Sequence, residues 1–349
     1  MKCFVFYRMP YAETYVEIEQ LDGQPETFQS PLELDGHNGF VVAPFSSSDT
    51  EPLILIRPDK MTTADVPPVE GEPGGWSCLD TDEAVRDRQR MDYSIDFSNY
   101  HSRLECGDFQ KIVLARSTEL PRKGDVDLKK LFFKACHEYP RVFVALVSTP
   151  VCGTWLVATP EILLEGDGNQ WHTMALAGTM TLGNLQWTEK NVCEQAYVTS
   201  YITECIERFT SDFTVEGPYS VRAGQLVHLR TDFRFTTHKK DLLGHLVTAL
   251  HPTPAVCGIP KRETHDFIVA NEHYPRSYYS GFMGPLGING STHLFVSLRC
   301  MKITPHAFRL YAGGGILTES VEQQEWDETE EKMKTMKKLI CKELKELRS

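Results

Sequence analysis

Three consecutive glycines, Gly313 to Gly315, end the short apolar run Phe308, Leu310 and Tyr311 in the stretch FRLYAGGGILTESVEQQEWDETEEK. Without side chains, their backbone N–H groups can approach an anion closely. A helix pattern opens at Glu325-Trp326-Asp327-Glu328 and continues to about Leu347. Glu325 and Glu328, three residues apart, point the same way on a helix, and Lys332 extends that face. An anion cradle beside paired carboxylates predicts an acidic ligand held through a bound cation. A tight turn before a solvated helix start is the plainer account of the same residues, so the rest of the chain has to decide.

At 349 residues the chain suits one large domain or two ordinary ones, and 41% apolar residues are ample for a core. A net charge of −12 argues against nucleic acid as the main partner, because phosphate binding needs a basic footprint. It leaves room for a small anionic ligand, which responds to local charge. The ten cysteines are scattered singly, with no CxxC pair and no zinc spacing, and read as free thiols of a reducing compartment. Residues 1–20 lack a signal-peptide core, and no apolar run reaches the roughly 18 residues of a membrane span. A cytoplasmic protein, with no membrane partner, is expected.

Residues 1–60 read as short strands, and Thr62 to Ser77, rich in Pro and Gly, as a surface loop within one fold. A helix is expected over about Asp82–Gly107. The strand pattern of Gln110–Ser117 starts with a lysine, Lys111, whose ordinary role would be that of a snorkelling edge residue. Glu161 stands just before another apolar run, and Ala175–Thr179 reads as a small-residue turn. Helices are expected over Glu189–Thr210, carrying Asn191 and Glu194 near its start, Leu242–Leu250 and Arg262–Asn271. Leu226–Leu229 reads as a short strand carrying His228, and His293–Met301 as one strong strand with a buried-looking Arg299, which needs a carboxylate partner.

With these pieces in order, the chain resembles the chorismate-utilising enzymes, and among them most closely the isochorismate synthases. The resemblance runs from about residue 100 to 335, on KIVLAR at Lys111, TPEILLE at Glu161, LAGT at Leu176, KNVCEQ at Lys190, HPTPAVCGIPK at His251, YYSG at Tyr278, VSLRCMKI at Val296 and YAGGGI followed by EWDETEEK. It implies an α+β fold: a single large domain of two packed, mainly antiparallel sheets with outer helices. Residues 1–95 would form a β-rich N-terminal part of that fold and residues 96–349 the catalytic region. It also implies Mg2+, held by Glu194 and Glu328 with Asn191 and Glu325 close by, and chorismate as substrate. Gly313, Gly314 and Gly315 would donate N–H groups to a substrate carboxylate, with Arg299, Tyr279 and Lys332 as further anchors. Gly178 and Thr179 would line the ring, and His228 would sit beside it.

Lysine at position 111 is similar to the water-adding members, whereas amine-transferring relatives carry glutamine there. Ala177 stands where aminodeoxychorismate synthase carries a lysine nucleophile. The resemblance therefore implies water as nucleophile and no glutaminase subunit; nothing demands a partner chain, and a monomer is expected. As general base, Lys111 must be neutral, which means lowering its value from about 10.4 through burial and neighbouring positive charge. Glu161 must do the opposite and stay protonated, to donate to the departing C4 hydroxyl. A salicylate-forming synthase is the nearest alternative, and Ala255, small and apolar, is similar to the isochorismate-forming members. A binding protein without chemistry is a third possibility, against which the opposed pair of Lys111 and Glu161 argues.

Overall fold

The computed structural model describes residues 3–68, 77–78, 81–181, 186–223, 226–238 and 242–341. The chain begins with strands β1 (Cys3–Arg8), β2 (Thr14–Gln20), β3 (Glu26–Phe28), β4 (Gly39–Ala43), β5 (Leu53–Ile56), β6 (Lys60–Asp65) and β7 (Ser77–Cys78). Helix α1 (Glu83–Glu105), β8 (Lys111–Lys123) and α2 (Leu128–Glu138) follow, then β9 (Phe143–Thr149), β10 (Gly153–Thr159), β11 (Ile162–Asp167) and β12 (Gln170–Thr181). Next come α3 (Glu189–Glu207), β13 (Phe213–Ala223), β14 (Leu226–Thr236), α4 (Leu243–Leu250), β15 (Gly258–Ile259) and α5 (Lys261–Asn271). The last elements are β16 (Phe282–Leu286), β17 (Ser291–Val296), β18 (Cys300–Ile303), β19 (Ala307–Ile316) and α6 (Glu322–Ile340).

Two large sheets organise these elements. The first runs β15-β8-β19-β18-β10-β9-β1-β2-β6, with β7 added on β8; the second runs β13-β14-β12-β11-β17-β16-β4-β5-β3. The strand pairs are antiparallel, as in β8 with β19 and β12 with β14. Between the sheets, Val5, Ile18, Val147 and Trp155 of the first meet Phe40, Val42, Ile54 and Phe295 of the second in one buried cluster. The rings of Phe143 and Phe295 stack across it at 4.1 Å. Outside, Val198, Ile202 and Ile206 of α3 and Leu246 and Leu250 of α4 cover the second sheet. Leu131 and Phe132 of α2 and Met333 and Met336 of α6 cover the first. The single-domain α+β architecture is thus as expected, and the first 95 residues contribute strands to both sheets.

Several local expectations are corrected. The run His293–Met301 is two strands: β17 ends at Val296 in the second sheet, and the chain crosses at Ser297-Leu298-Arg299 to begin β18 in the first. Continuous apolarity could not reveal a change of sheet. Ala175–Thr179 lies inside β12, where the register against β14 shifts between Ala177 and Thr179. Gly178, at φ +64°, takes the conformation that the bulge needs. The glycines Gly313–Gly315 lie within β19, paired with Ala115, Leu114 and Val113 of β8, not in a turn. Thr62–Asp65 belongs to β6, whereas residues 69–76 of the expected loop lie outside the described residues. The strand at His228 runs on to Thr236, and α6 starts at Glu322, with residues 342–349 of its expected extension outside the described ones. The thiols are not all free: Cys78 and Cys341 form a disulfide between β7 and the end of α6.

Candidate active site

Lys111, the first residue of β8, is fully buried, and its Nζ lies 3.0 Å from Oε1 of Glu194 on α3. Its nearest charged neighbour is therefore a carboxylate, not the positive charge the sequence reading expected. Glu161 occupies the short step between β10 and β11 and is 2% exposed. Burial pushes its carboxyl up to about 8, against the opposing pull of Lys111, Arg299 and Lys332. At neutral pH it keeps its proton. Arg299 sits at the crossing between the sheets, with Nη2 3.4 Å from Nε2 of His228. The other ring nitrogen, Nδ1, donates to the carbonyl of Gly178 at 3.0 Å. Burial, with Arg299 and Lys332 nearby, pushes His228 down to about 3, so the ring is neutral and its Nε2 accepts.

Glu161, His228, Arg299 and Glu194, the partner of Lys111, share one cavity, whereas Lys111 itself is not among its lining residues. The cavity is lined by Glu161, Gly178, Thr179, Glu194, His228, Ala255, Tyr279, Arg299, Gly313, Gly315 and Lys332. All of these were picked out from the sequence; Leu176, Val256 and Leu298, with Val113, Pro160 and Ala177, form its apolar wall. The bulge at Gly178 and the sheet crossing at Arg299 both open toward this space. The wall is braced from behind by a buried ion pair, Glu272 with Arg276. Arg276 donates to the carbonyls of Val113 and Val256 at 2.7 and 2.6 Å, and Glu272 accepts from the N–H of Ala115 at 2.8 Å. The pair thus occupies backbone groups of β8 beyond its short partner β15, joining the strand of Lys111 to the loop of Ala255.

The glycines do more than bare a backbone. A Cβ at Gly315 would lie 2.1 Å from Glu194 Oε1 and 2.9 Å from Lys111 Cε, and one at Gly313 would lie 2.9 Å from the Tyr279 hydroxyl. On the other face of β19, a Cβ at Gly314 would stand 3.1 Å from Glu325 Oε2 and 3.9 Å from Glu328 Oε1. The strand is stripped of side chains where charged groups close over both its faces. Each carboxylate has a lysine: Glu194 has Lys111, Glu325 has Lys190, and Glu328 has Lys332 at 2.5 Å. Lys332 also donates to the carbonyl of Gly313 at 2.7 Å. Asn191 is used differently, because its Oδ1 accepts from the Thr188 hydroxyl at 2.7 Å in the cap of α3.

Among the described residues, no group of three or more His, Cys, Asp or Glu side chains converges as metal ligands. Glu325 Oε2 is nevertheless buried without a hydrogen-bond partner, on the side of β19 where Glu328 also arrives. An orphaned carboxylate oxygen beside a second carboxylate fits a hard cation such as Mg2+, which takes one or two carboxylates and keeps several waters. Lys190 is the site residue that sequence reasoning missed. A lysine near a helix start reads as solvated, and its carboxylate partner lies 135 positions away.

The family profile described as chorismate binding enzyme matches residues 79–341. The chain belongs to this family. It is 28% identical over 241 residues to the vibriobactin-specific isochorismate synthase of Vibrio cholerae, covering 65% of this chain and 60% of that protein. It is 29% identical over 238 residues to the isochorismate synthase EntC of Escherichia coli K12, covering 65% and 61%. The match thus spans about three fifths of these relatives' length. In fold the chain is similar to MenF, the menaquinone-specific isochorismate synthase of Escherichia coli, with TM-score 0.78, 20% identity, and coverage of 97% and 89%.

Proposed function

We propose that this protein converts chorismate to isochorismate, adding water at C2 and losing the C4 hydroxyl, with Mg2+ as cofactor. The observation that carries the reading is Glu161: a buried carboxyl that keeps its proton, sharing one charged site with Lys111. The names of the relatives support the same reaction. Charge supports an anionic substrate, despite the chain's net −12. Arg299 and Lys332 line the cavity, and of the two acids there Glu161 keeps its proton and Glu194 lies against Lys111.

Glu325 and Glu328 are the residues that would hold Mg2+, which when bound would supply positive charge for the ring carboxylate. Arg299 and Lys332 anchor the substrate's anionic groups, and the wall of Leu176, Val256 and Leu298 excludes bulk water from the ring. Lys111 takes the proton of the attacking water as the C2–O bond forms. Glu161 gives its proton to the C4 hydroxyl, which leaves as water while the ring double bonds shift. One water enters and one leaves, so the reaction is an isomerisation and needs no covalent enzyme intermediate. Ala255 offers no hydrogen bond to the cavity, in keeping with release of isochorismate without pyruvate elimination.

The test is incubation of the protein with chorismate and Mg2+, with products separated by chromatography. Isochorismate in equilibrium with chorismate is expected, with little pyruvate. Lys111→Ala and Glu161→Gln should each lose about 10²–10⁴ in kcat while still binding chorismate. Stoichiometric pyruvate and salicylate from the unmodified protein, or full turnover by Lys111→Ala, would refute the assignment.

A further inference from the structure

Lys190 is the second residue of α3 after the cap at Thr188, a place where the helix dipole disfavours a cation. Its side chain is mostly buried and reaches across to α6, where Nζ donates to Glu325 Oε1. The ammonium is therefore held against an unfavourable helix terminus by the carboxylates in front of it. The partner is the carboxylate whose second oxygen is buried and unbonded.

We propose that Lys190 is a resident counter-cation that competes with a divalent metal ion for Glu325 and so weakens metal binding in the substrate-free protein. The inference rests on the cation-dependent reading of the site given above. A lysine and a metal ion at one carboxylate repel each other, and every metal ion bound must either displace Lys190 or tolerate its charge. A unit charge within about 6 Å of a divalent ion changes its affinity about tenfold, even at the dielectric of bulk water. Removing the charge while keeping the length of the side chain should strengthen metal binding. Were Lys190 only a structural tie between α3 and α6, its removal would leave Glu325 looser and metal affinity unchanged or lower.

The experiment is a titration of the full chain with Mn2+, without substrate, following the free ion by electron paramagnetic resonance and displacing it with Mg2+. The unmodified protein is compared with Lys190→Met, Lys190→Gln and Lys190→Arg, each checked for folding by circular dichroism. The two uncharged variants should bind Mn2+ at least about tenfold more tightly, and Lys190→Arg about as weakly as the unmodified protein. Lys190→Gln carries the comparison if the methionine variant does not fold. Equal or weaker binding by a folded, uncharged variant overturns the proposal and leaves the cation-dependent reading standing, since the unmodified protein still binds. Absence of Mn2+ binding in every form overturns both.

Discussion

A single methyl group at Gly315 would fall 2.1 Å from Glu194 Oε1 and 2.9 Å from Lys111 Cε, forcing apart an ion pair now 3.0 Å long. Both colliding groups are ends of flexible side chains, so the fold can survive the change while the geometry of the site cannot. At Gly314 the contact is 3.1 Å to Glu325 Oε2, which a few tenths of an ångström relieve. Gly315→Ala should therefore lose at least about a hundredfold in kcat and keep its circular dichroism spectrum, whereas Gly314→Ala should lose less. Equal activity in the two variants would mean that the glycines serve only as backbone donors. Glu161 makes a second residue-scale argument. Its folded pKa is about 8 and its ordinary one 4.5, so the folded state holds a proton that the unfolded chain releases. This group's contribution to stability falls as pH rises between those values. Glu161→Gln should therefore gain stability over the unmodified protein at pH 8.5 relative to pH 5, in matched urea titrations. A difference that stays the same at both pH values would place the Glu161 proton elsewhere.

Helix α6 carries Glu325, Glu328 and Lys332, and its seat on the first sheet is set by Arg116 of β8. The guanidinium lies 3.7 Å from the Trp326 ring centroid, donates to Thr329 Oγ1 at 2.6 Å, and pairs with Glu330. Arg90 of α1 approaches the same ring, and Tyr93 meets it edge-on. Lysine cannot stack and fork in this way. Arg116→Lys should cost roughly 2 kcal/mol, less than a fully buried pair would, because Glu330 is partly exposed. A urea midpoint unchanged within error would sink that account of the seat. The elements were largely legible: α3 follows from its apolar spacing, α1, α4 and α5 lie close to where the sequence places them, and the spacing of Glu325 and Glu328 follows from helical geometry. The sheet crossing at Arg299 and the bulge at Gly178 were not, because each depends on the strand that lies alongside. Lys190 escaped notice for the same reason, its function being fixed by a helix far along the chain.

Across the whole molecule, the second sheet carries a charge network that the local pattern could not foretell. His172 of β12 bonds Glu165 of β11 through Nδ1 at 2.8 Å and Asp232 of β14 through Nε2 at 2.6 Å. His293 of β17 joins Glu165 at 3.0 Å, while Tyr219 of β13 and Arg230 join Asp232. One network thus crosses the adjacent strands β13-β14-β12-β11-β17, drawn from residues 165 to 293. Alternation along a strand says which face such residues take, not which of them meet. With a carboxylate at each nitrogen, His172 is raised above its ordinary value although burial opposes this, and its hydrogen bonds to Asp232 and Glu165 outweigh that burial. Glu165 is held down at about 2 by His172 and His293, again against burial. The signs follow from linkage. The stabilisation from His172 is full below its unfolded value of about 6.5 and fades as pH rises through the raised folded value. That from Glu165 is full above about 4.5 and fades only as pH falls toward 2. Between these limits, near pH 6, the network should hold the sheet best. His172→Gln should then lie roughly 2 kcal/mol below the unmodified protein at pH 6, since Glu165 and Asp232 each lose a cationic partner while keeping their bonds to His293 and Arg230. The gap should narrow by pH 9, as the unmodified protein loses the imidazolium as well. Denaturant titrations at the two pH values measure it, and a gap that is constant or wider at pH 9 would mean that His172 stabilises these strands by packing and not by charge.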